Sequence, residues 1–130
     1  MSEENVEVVR RAFEAWNSGD MDALAALYDR DAVIWGPEEW PEPGPLLGRE
    51  AIMRQFELMR AAYETDELEP TRIDHIADRV VVRFIWRGVG QGPELNMELT
   101  YVYSVRKGKI RSAEVFRDHG EALEALGLPA

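Results

Sequence analysis

The stretch VEVVRRAFEAWNSGDMDALAALYDRDAVIW, residues 6–35, decides the fold more than any other part of the chain. Val6, Val9, Phe13 and Trp16 recur at three- and four-residue steps. This spacing predicts an amphipathic helix from about residue 3 to residue 16, with one buried apolar stripe.

A break and a second helix are predicted directly after this helix. Gly19 is expected to take the left-handed conformation that ends a helix, and Asp20 to cap the next one. The buried face of that second helix is predicted to carry Leu24, Leu27 and Tyr28, and residues 32–35 are predicted to form a strand. Two short helices that lead into a strand can close one end of a curved sheet and leave a pocket behind them.

Residues 36–48 contain four of the seven prolines in the chain. Prolines at this density exclude a helix and a paired central strand, so we predict a long ordered loop. Trp40 lies in its middle. Two interpretations stay open. In the first, the loop forms a lid or rim that brings Trp40 to a ligand. In the second, the loop only packs the Trp40 side chain onto the core.

The rest of the chain predicts one long helix, four strands and a short helix. The third helix is expected from residue 49 to about residue 64, with Ile52, Phe56, Met59 and Tyr63 as its apolar stripe. Strands are expected at residues 68–76, 79–86, 94–105 and 109–117, and a last helix at about 121–126. This order predicts an α+β fold in which helices precede a mostly antiparallel meander.

Composition narrows the functional classes. The 130 residues fit one domain, and the net charge of −10 disfavours nucleic acid and strongly anionic ligands. The chain has no cysteine, which excludes disulfides and thiolate metal sites and is typical of a reducing compartment. The N-terminus is not a signal peptide and no stretch is long enough to span a membrane, so we expect a cytoplasmic protein without a membrane partner.

Six local strings occur in a fixed order along the chain. They are the first two helices joined by NSGD, AVIWGP, GREAI, DRVVVRF, RKGKI and EALEALGL. This order resembles the SnoaL-like branch of the nuclear transport factor 2-like superfamily. The resemblance implies a single domain over residues 1–130, a cone-shaped, mostly antiparallel sheet wrapped around a long helix, an apolar pocket and a homodimer. Relatives include ketosteroid isomerase, limonene epoxide hydrolase, polyketide cyclases and non-catalytic binding domains, so the fold does not name the function.

In such a cone the ligand would meet alternate side chains of each strand and the inner faces of the helices. Glu98 and Thr100 are expected to point away from the interior, as are Arg83 and Arg87. The predicted ligand pocket consists of Trp16, Tyr28, Ile34, Trp40, Phe56, Met59, Val82, Phe84, Trp86, Tyr101, Tyr103, Val115 and Arg117. The alternative for each of the aromatic residues is a place in an ordinary filled core.

The resemblance also indicates where relatives carry catalytic groups. The base, the helix-one donor and the central-strand acid of ketosteroid isomerase-like enzymes correspond to Gly36, Ala12 and Tyr101. The essential aspartate of epoxide hydrolases and polyketide cyclases corresponds to Val115. Each mechanism therefore lacks a key group, unless a register shift of one residue turns Glu114 inward. Tyr101 and Glu114 are the two weak catalytic candidates.

The two histidines show no spacing that would hold a metal, and no nucleotide motif is present, so we expect no metal and no cofactor. Three functions stay open. The first is a binding protein for an apolar small molecule. The second is an isomerase, hydrolase or cyclase that acts on an apolar carbonyl- or epoxide-bearing substrate. The third is a dimeric adaptor that binds a protein through Arg83, Ile85 and Arg87. An inward Glu114 would favour the enzyme, and an outward Glu114 the binding protein.

Overall fold

A computed structural model describes residues 2–36 and 45–128. In chain order the elements are α1 (Ser2–Ser18), α2 (Met21–Ala26), β1 (Tyr28–Trp35), β2 (Leu46–Leu47), α3 (Arg49–Ala61), β3 (Thr65–Ile76), β4 (Arg79–Val89), β5 (Leu95–Arg106), β6 (Lys109–Phe116) and α4 (His119–Ala125). The predicted α+β class and order of elements are confirmed. Trp40 and most of the proline-rich segment lie outside the described residues.

The strands form one six-stranded sheet with the order β2-β1-β6-β5-β4-β3. β1 runs parallel to β6, and the other neighbouring strands are antiparallel. The two-residue strand β2 pairs with β1 inside the segment that the sequence predicted to be a loop. In the middle of the sheet Tyr101 lies beside Val82 on one side and Val115 on the other.

The main hydrophobic core fills the concave side of the sheet. α1 contributes Val9, Phe13 and Trp16 to it, and α3 contributes Ile52 and Phe56, as their helical spacing predicted. A second, smaller cluster lies on the opposite face, where α4 covers β4 and β5 (Val81, Val102 and Ala122). Thr100 points away from the main core as expected, but it is buried because α4 covers it.

Local signals at the helix ends are also confirmed. Gly19 has a φ of 76°, and the Asp20 side chain accepts a hydrogen bond from the Ala23 amide at 3.0 Å. At the end of α4, Gly127 and Leu128 donate amide hydrogen bonds to carbonyls of the last helical turn, which is the Schellman arrangement.

Two element boundaries differ from the prediction in ways that affect the site. β1 begins at Tyr28 instead of residue 32, which fixes that tyrosine at the start of a strand. β3 begins at Thr65 instead of residue 68, and this extension brings Asp66 into the sheet. Arg60 lies at the end of α3, which stops at Ala61.

Candidate functional site

A cavity lies between α1, α2, α3 and the concave face of β3, β4 and β5. The volume of the cavity is about 40 Å³. Its described lining consists of Ala12, Phe13, Trp16, Leu24, Tyr28, Phe56, Met59, Leu68, Phe84, Trp86, Leu99, Tyr101 and Tyr103. The cavity is therefore apolar and predominantly aromatic.

The aromatic side chains around the cavity hold one another in edge-to-face contacts. The ring of Phe84 packs at right angles to Phe13, with 5.0 Å between centroids, and meets Tyr101 at 5.1 Å. Trp16 packs edge-on to Phe56 at 5.4 Å, and Phe56 meets Tyr28 at 5.9 Å. Such pairs are favourable beyond the area that they bury, and they order the walls as two groups of rings, one around Phe84 and one around Trp16 and Phe56.

Three phenol groups are among the polar groups of the lining. The rings of Tyr101 and Tyr103 lie 5.5 Å apart, and Tyr28 lines the same cavity. Within the part of the chain that the structure describes, no side-chain hydrogen bond engages their hydroxyls. Burial raises the pKa of all three phenols well above the usual value, so they are neutral hydrogen-bonding groups at physiological pH.

The structure brings together eight of the residues that the sequence assigned to a pocket. They are Trp16, Tyr28, Phe56, Met59, Phe84, Trp86, Tyr101 and Tyr103. Ile34, Val82 and Val115 are buried in the core beside the cavity but do not line it. Trp40 lies outside the described residues.

Five lining residues were not assigned to the pocket from the sequence. They are Ala12, Phe13, Leu24, Leu68 and Leu99. Phe13, Leu24 and Leu99 lie on faces that the hydrophobic pattern marked as buried, so burial was predictable for them. The pattern does not distinguish a side chain that faces a cavity from one that faces another side chain.

The assignment of Arg117 to the pocket is wrong. β6 ends at Phe116, so the alternation of side chains along that strand does not extend to Arg117. Arg117 is exposed and lies with Arg83 and Glu98 in a shallow groove on the opposite face of the sheet. Asp118, the next residue, caps α4 by accepting hydrogen bonds from two of its first amides.

The strand register settles the orientation of Glu114. Val115 pairs with Tyr101 and is only 4 % exposed, whereas Glu114 is exposed on the outer face of β6. The register predicted for the last strand is confirmed, and the one-residue shift that would have turned Glu114 inward does not occur. No carboxylate or histidine therefore lies among the described residues that line the cavity.

One carboxylate does lie directly behind the cavity wall. Asp66 on β3 accepts hydrogen bonds from the indole nitrogens of Trp16, at 2.7 Å, and Trp86, at 2.9 Å. Arg60 approaches its other oxygen at 3.6 Å. Asp66 was not predicted as a site residue because the strand was expected to begin at residue 68, three residues after its start at Thr65. One signal in the sequence was available. Asp66 lies two residues before Leu68, so in a strand both side chains point to the same, inward face.

The described residues include no group of three or more histidines or carboxylates placed to hold a metal ion. The same part of the chain has no helix long and apolar enough to cross a membrane.

Known proteins resemble this chain in both sequence and fold. A model of the SnoaL-like domain matches residues 9–113. Bal32a, from a soil-derived mobile gene cassette, is 28% identical over 88% of this chain and 89% of its own, with a TM-score of 0.81. A proposed polyketide cyclase from Sinorhizobium meliloti is 26% identical over 85% of this chain and 94% of its own, with a TM-score of 0.70.

A third solved structure has the same fold at lower identity. It is a protein from Catenulispora acidiphila with a ketosteroid isomerase-like fold, in complex with trimethylamine. It is 21% identical over 95% of this chain and 94% of its own, with a TM-score of 0.74.

No curated protein matches the chain significantly. Because the domain model covers most of the sequence, the chain belongs to the SnoaL-like domain family of the nuclear transport factor 2-like superfamily.

Proposed function

We propose that this protein binds a small, uncharged, mainly apolar molecule in the cavity between α1, α3 and the sheet. The observation that carries the proposal is the lining itself. Eight of its thirteen described side chains are aromatic, and its polar atoms include three phenol hydroxyls. Apolar walls with a few polar groups are typical of small-molecule sites, where the polar groups fix the orientation of the ligand.

The size of the cavity limits the ligand to about one ring. Its volume of about 40 Å³ is smaller than the ~150 Å³ of an engineered apolar cavity that binds benzene. A one-ring ligand therefore requires the aromatic walls to move apart slightly, and several fused rings would require a much larger separation.

The chemistry of the lining favours binding over acid–base catalysis. A general base must accept a proton near neutral pH, and burial raises the pKa of the three phenols in the direction that keeps them protonated. Ala12 and Val115 stand where relatives carry a donor and an acid, and Glu114 points outward. A phenol that donates a hydrogen bond to a ligand carbonyl requires no ionisation.

The adaptor hypothesis has weaker support. The outward arginines that it requires are engaged in ion pairs on the sheet surface, Arg83 with Glu98 and Arg87 with Glu69. A homodimer and a cytoplasmic location remain predictions from the resemblance and the composition. Sedimentation equilibrium of the purified protein would test the first of them.

Titration of isotopically labelled protein with three one-ring probes tests the proposed function. Acetophenone and ethylbenzene are expected to bind saturably, with acetophenone several-fold tighter because its carbonyl accepts a hydrogen bond from a phenol. Benzoate is expected to bind at least tenfold more weakly, since its carboxylate would be buried without a cation. The resonances that shift should include the indole protons of Trp16 and Trp86.

A matched pair of variants provides the control. Ala12→Leu extends a side chain into the cavity from α1, whereas Ala23→Leu makes the same change on an exposed face of α2. The first variant should abolish binding of all the probes and the second should not. Equal binding by Ala12→Leu and the unmodified protein, or turnover of a carbonyl or epoxide compound by the unmodified protein, would overturn the proposal.

A further inference from the structure

The two tryptophans of the cavity wall share one acceptor atom. Oδ2 of Asp66 accepts a hydrogen bond from the indole nitrogen of Trp16 on α1 and another from that of Trp86 on β4. The two rings lie 6.4 Å apart and nearly perpendicular, at 87°. Three elements that are distant in sequence therefore meet at a single carboxylate oxygen.

The second oxygen of this carboxylate lies near Arg60 of α3. Nη1 of Arg60 lies 3.6 Å from Oδ1 of Asp66 and donates a hydrogen bond to the backbone carbonyl of Trp16 at 2.7 Å. The guanidinium carbon also lies 5.0 Å from the centroid of the Trp16 ring, within the range of a cation–π contact. Arg60 thus holds the carboxylate, the ring and the backbone of one tryptophan together.

A buried carboxylate at this place is unfavourable unless its partners compensate for the lost water. The Asp66 side chain is only 5 % exposed, and its partners are two indole donors and a guanidinium. An indole nitrogen is a donor only, so each buried tryptophan requires an acceptor. Asp66 satisfies both donors at once, and it does so from behind the wall, since it is not among the residues that line the cavity.

We propose that Asp66 is a positioning residue, which fixes the orientation of both indole rings and thereby determines which ligands the cavity admits. The part of this inference that concerns ligand preference rests on the proposed function. The part that concerns ring orientation does not, because the orientation of the rings is a property of the unliganded protein. The competing explanation is that ring packing alone holds Trp16 and Trp86. Under that explanation, removal of the carboxylate would leave the rings and their ligand preference unchanged.

The test uses Asp66→Leu, which removes the acceptor, and Asp66→Asn, which keeps one acceptor oxygen. Glu67→Gln, at the exposed neighbouring position of the same strand, is the matched control. The first measurement is the resonance and the solvent exchange of the two indole protons without ligand, assigned with Trp16→Phe and Trp86→Phe. In Asp66→Leu both resonances should move and exchange at least tenfold faster, with Asp66→Asn intermediate and Glu67→Gln unchanged.

The second measurement is the affinity for acetophenone and ethylbenzene. Asp66→Leu should weaken acetophenone binding at least fivefold and alter the preference between the two probes. Asp66→Asn should keep an affinity and a preference close to those of the unmodified protein. Unchanged indole exchange in Asp66→Leu, or altered affinity with unchanged indoles, would overturn the positioning role. If Asp66→Leu does not fold, unchanged indole resonances in Asp66→Asn would overturn it. Failure of the unmodified protein to bind either probe would refute the proposed function and leave the indole result intact.

Discussion

Replacement of Tyr101 by phenylalanine removes one hydroxyl from the cavity and leaves the ring in place. The Tyr101 side chain is buried, and within the described residues its hydroxyl has no hydrogen-bond partner. Two effects follow. A ligand carbonyl loses a donor, which corresponds to about 1 kcal/mol of binding free energy, or about fivefold in Kd. The hydroxyl is not among the fully buried, unpartnered polar atoms of the described residues, so the free energy of unfolding should change by less than about 1 kcal/mol.

Calorimetric titration and urea unfolding of the same variant measure both effects. The Kd of acetophenone should rise about fivefold while that of ethylbenzene stays unchanged, because ethylbenzene has the same ring and no acceptor. Tyr63→Phe is the control, since Tyr63 packs against Trp86 and does not line the cavity. An equal change for both probes, or a clear loss of stability in Tyr101→Phe, would refute the assignment of the hydroxyl as a free donor.

Three further predictions concern stability and are measured by urea unfolding. Burial raises the pKa of the three cavity phenols, so the unfolded chain loses their protons first as the pH rises above ~10. The free energy of unfolding should then fall by up to about 1.4 kcal/mol per pH unit for each phenol, and replacement of all three by phenylalanine should remove this slope. Gly88→Ala should destabilise the protein by about 1–3 kcal/mol, because its Cβ would lie 2.9 Å from the ring of Tyr63. Gly92→Ala, where a Cβ would meet open space, should be neutral, and equal effects of the two variants would contradict the close packing of Gly88 against Tyr63. Asp118→Ala should cost about 1 kcal/mol through loss of the α4 cap, and no loss relative to Glu124→Ala would argue against that cap.

The elements and their faces could be predicted because their signals are local. The spacing of Val9, Phe13 and Trp16 marks one side of a helix whatever the rest of the chain does, and Gly19 and Asp20 act within one turn. The alternation along β4, β5 and β6 likewise predicted the inward residues, among them Val115, and the structure confirms that the neighbouring Glu114 points outward. The parallel pairing of β1 with β6 is a contact between distant segments and has no such local signal.

The site was less predictable than the fold. Arg117 was predicted to point inward because the alternation of side chains along the last strand was continued to residue 117. The strand ends at Phe116, so the alternation no longer applies and Arg117 lies on the other side of the sheet. Asp66 was missed because β3 begins three residues before its predicted start. The role of Asp66 depends on Trp16, Trp86 and Arg60, which come from three other elements, and only the folded chain brings them together.

We expect the rings, the phenols and the Asp66 carboxylate to have different roles in ligand binding. Rings supply the contact area, phenols supply hydrogen bonds, and the carboxylate of Asp66 orients two of the rings from behind the wall. The described lining includes no carboxylate or histidine, and burial raises the pKa of the three phenols, so these phenols stay protonated at neutral pH.

A crystal structure of the protein soaked with p-bromoacetophenone tests the central claim most directly. The account predicts one anomalous bromine peak inside the cavity between Trp16, Phe56 and Tyr101, with the ligand carbonyl within hydrogen-bond distance of a phenol oxygen. Side chains that fill the interior completely, with bromine only on the outer surface, would contradict it.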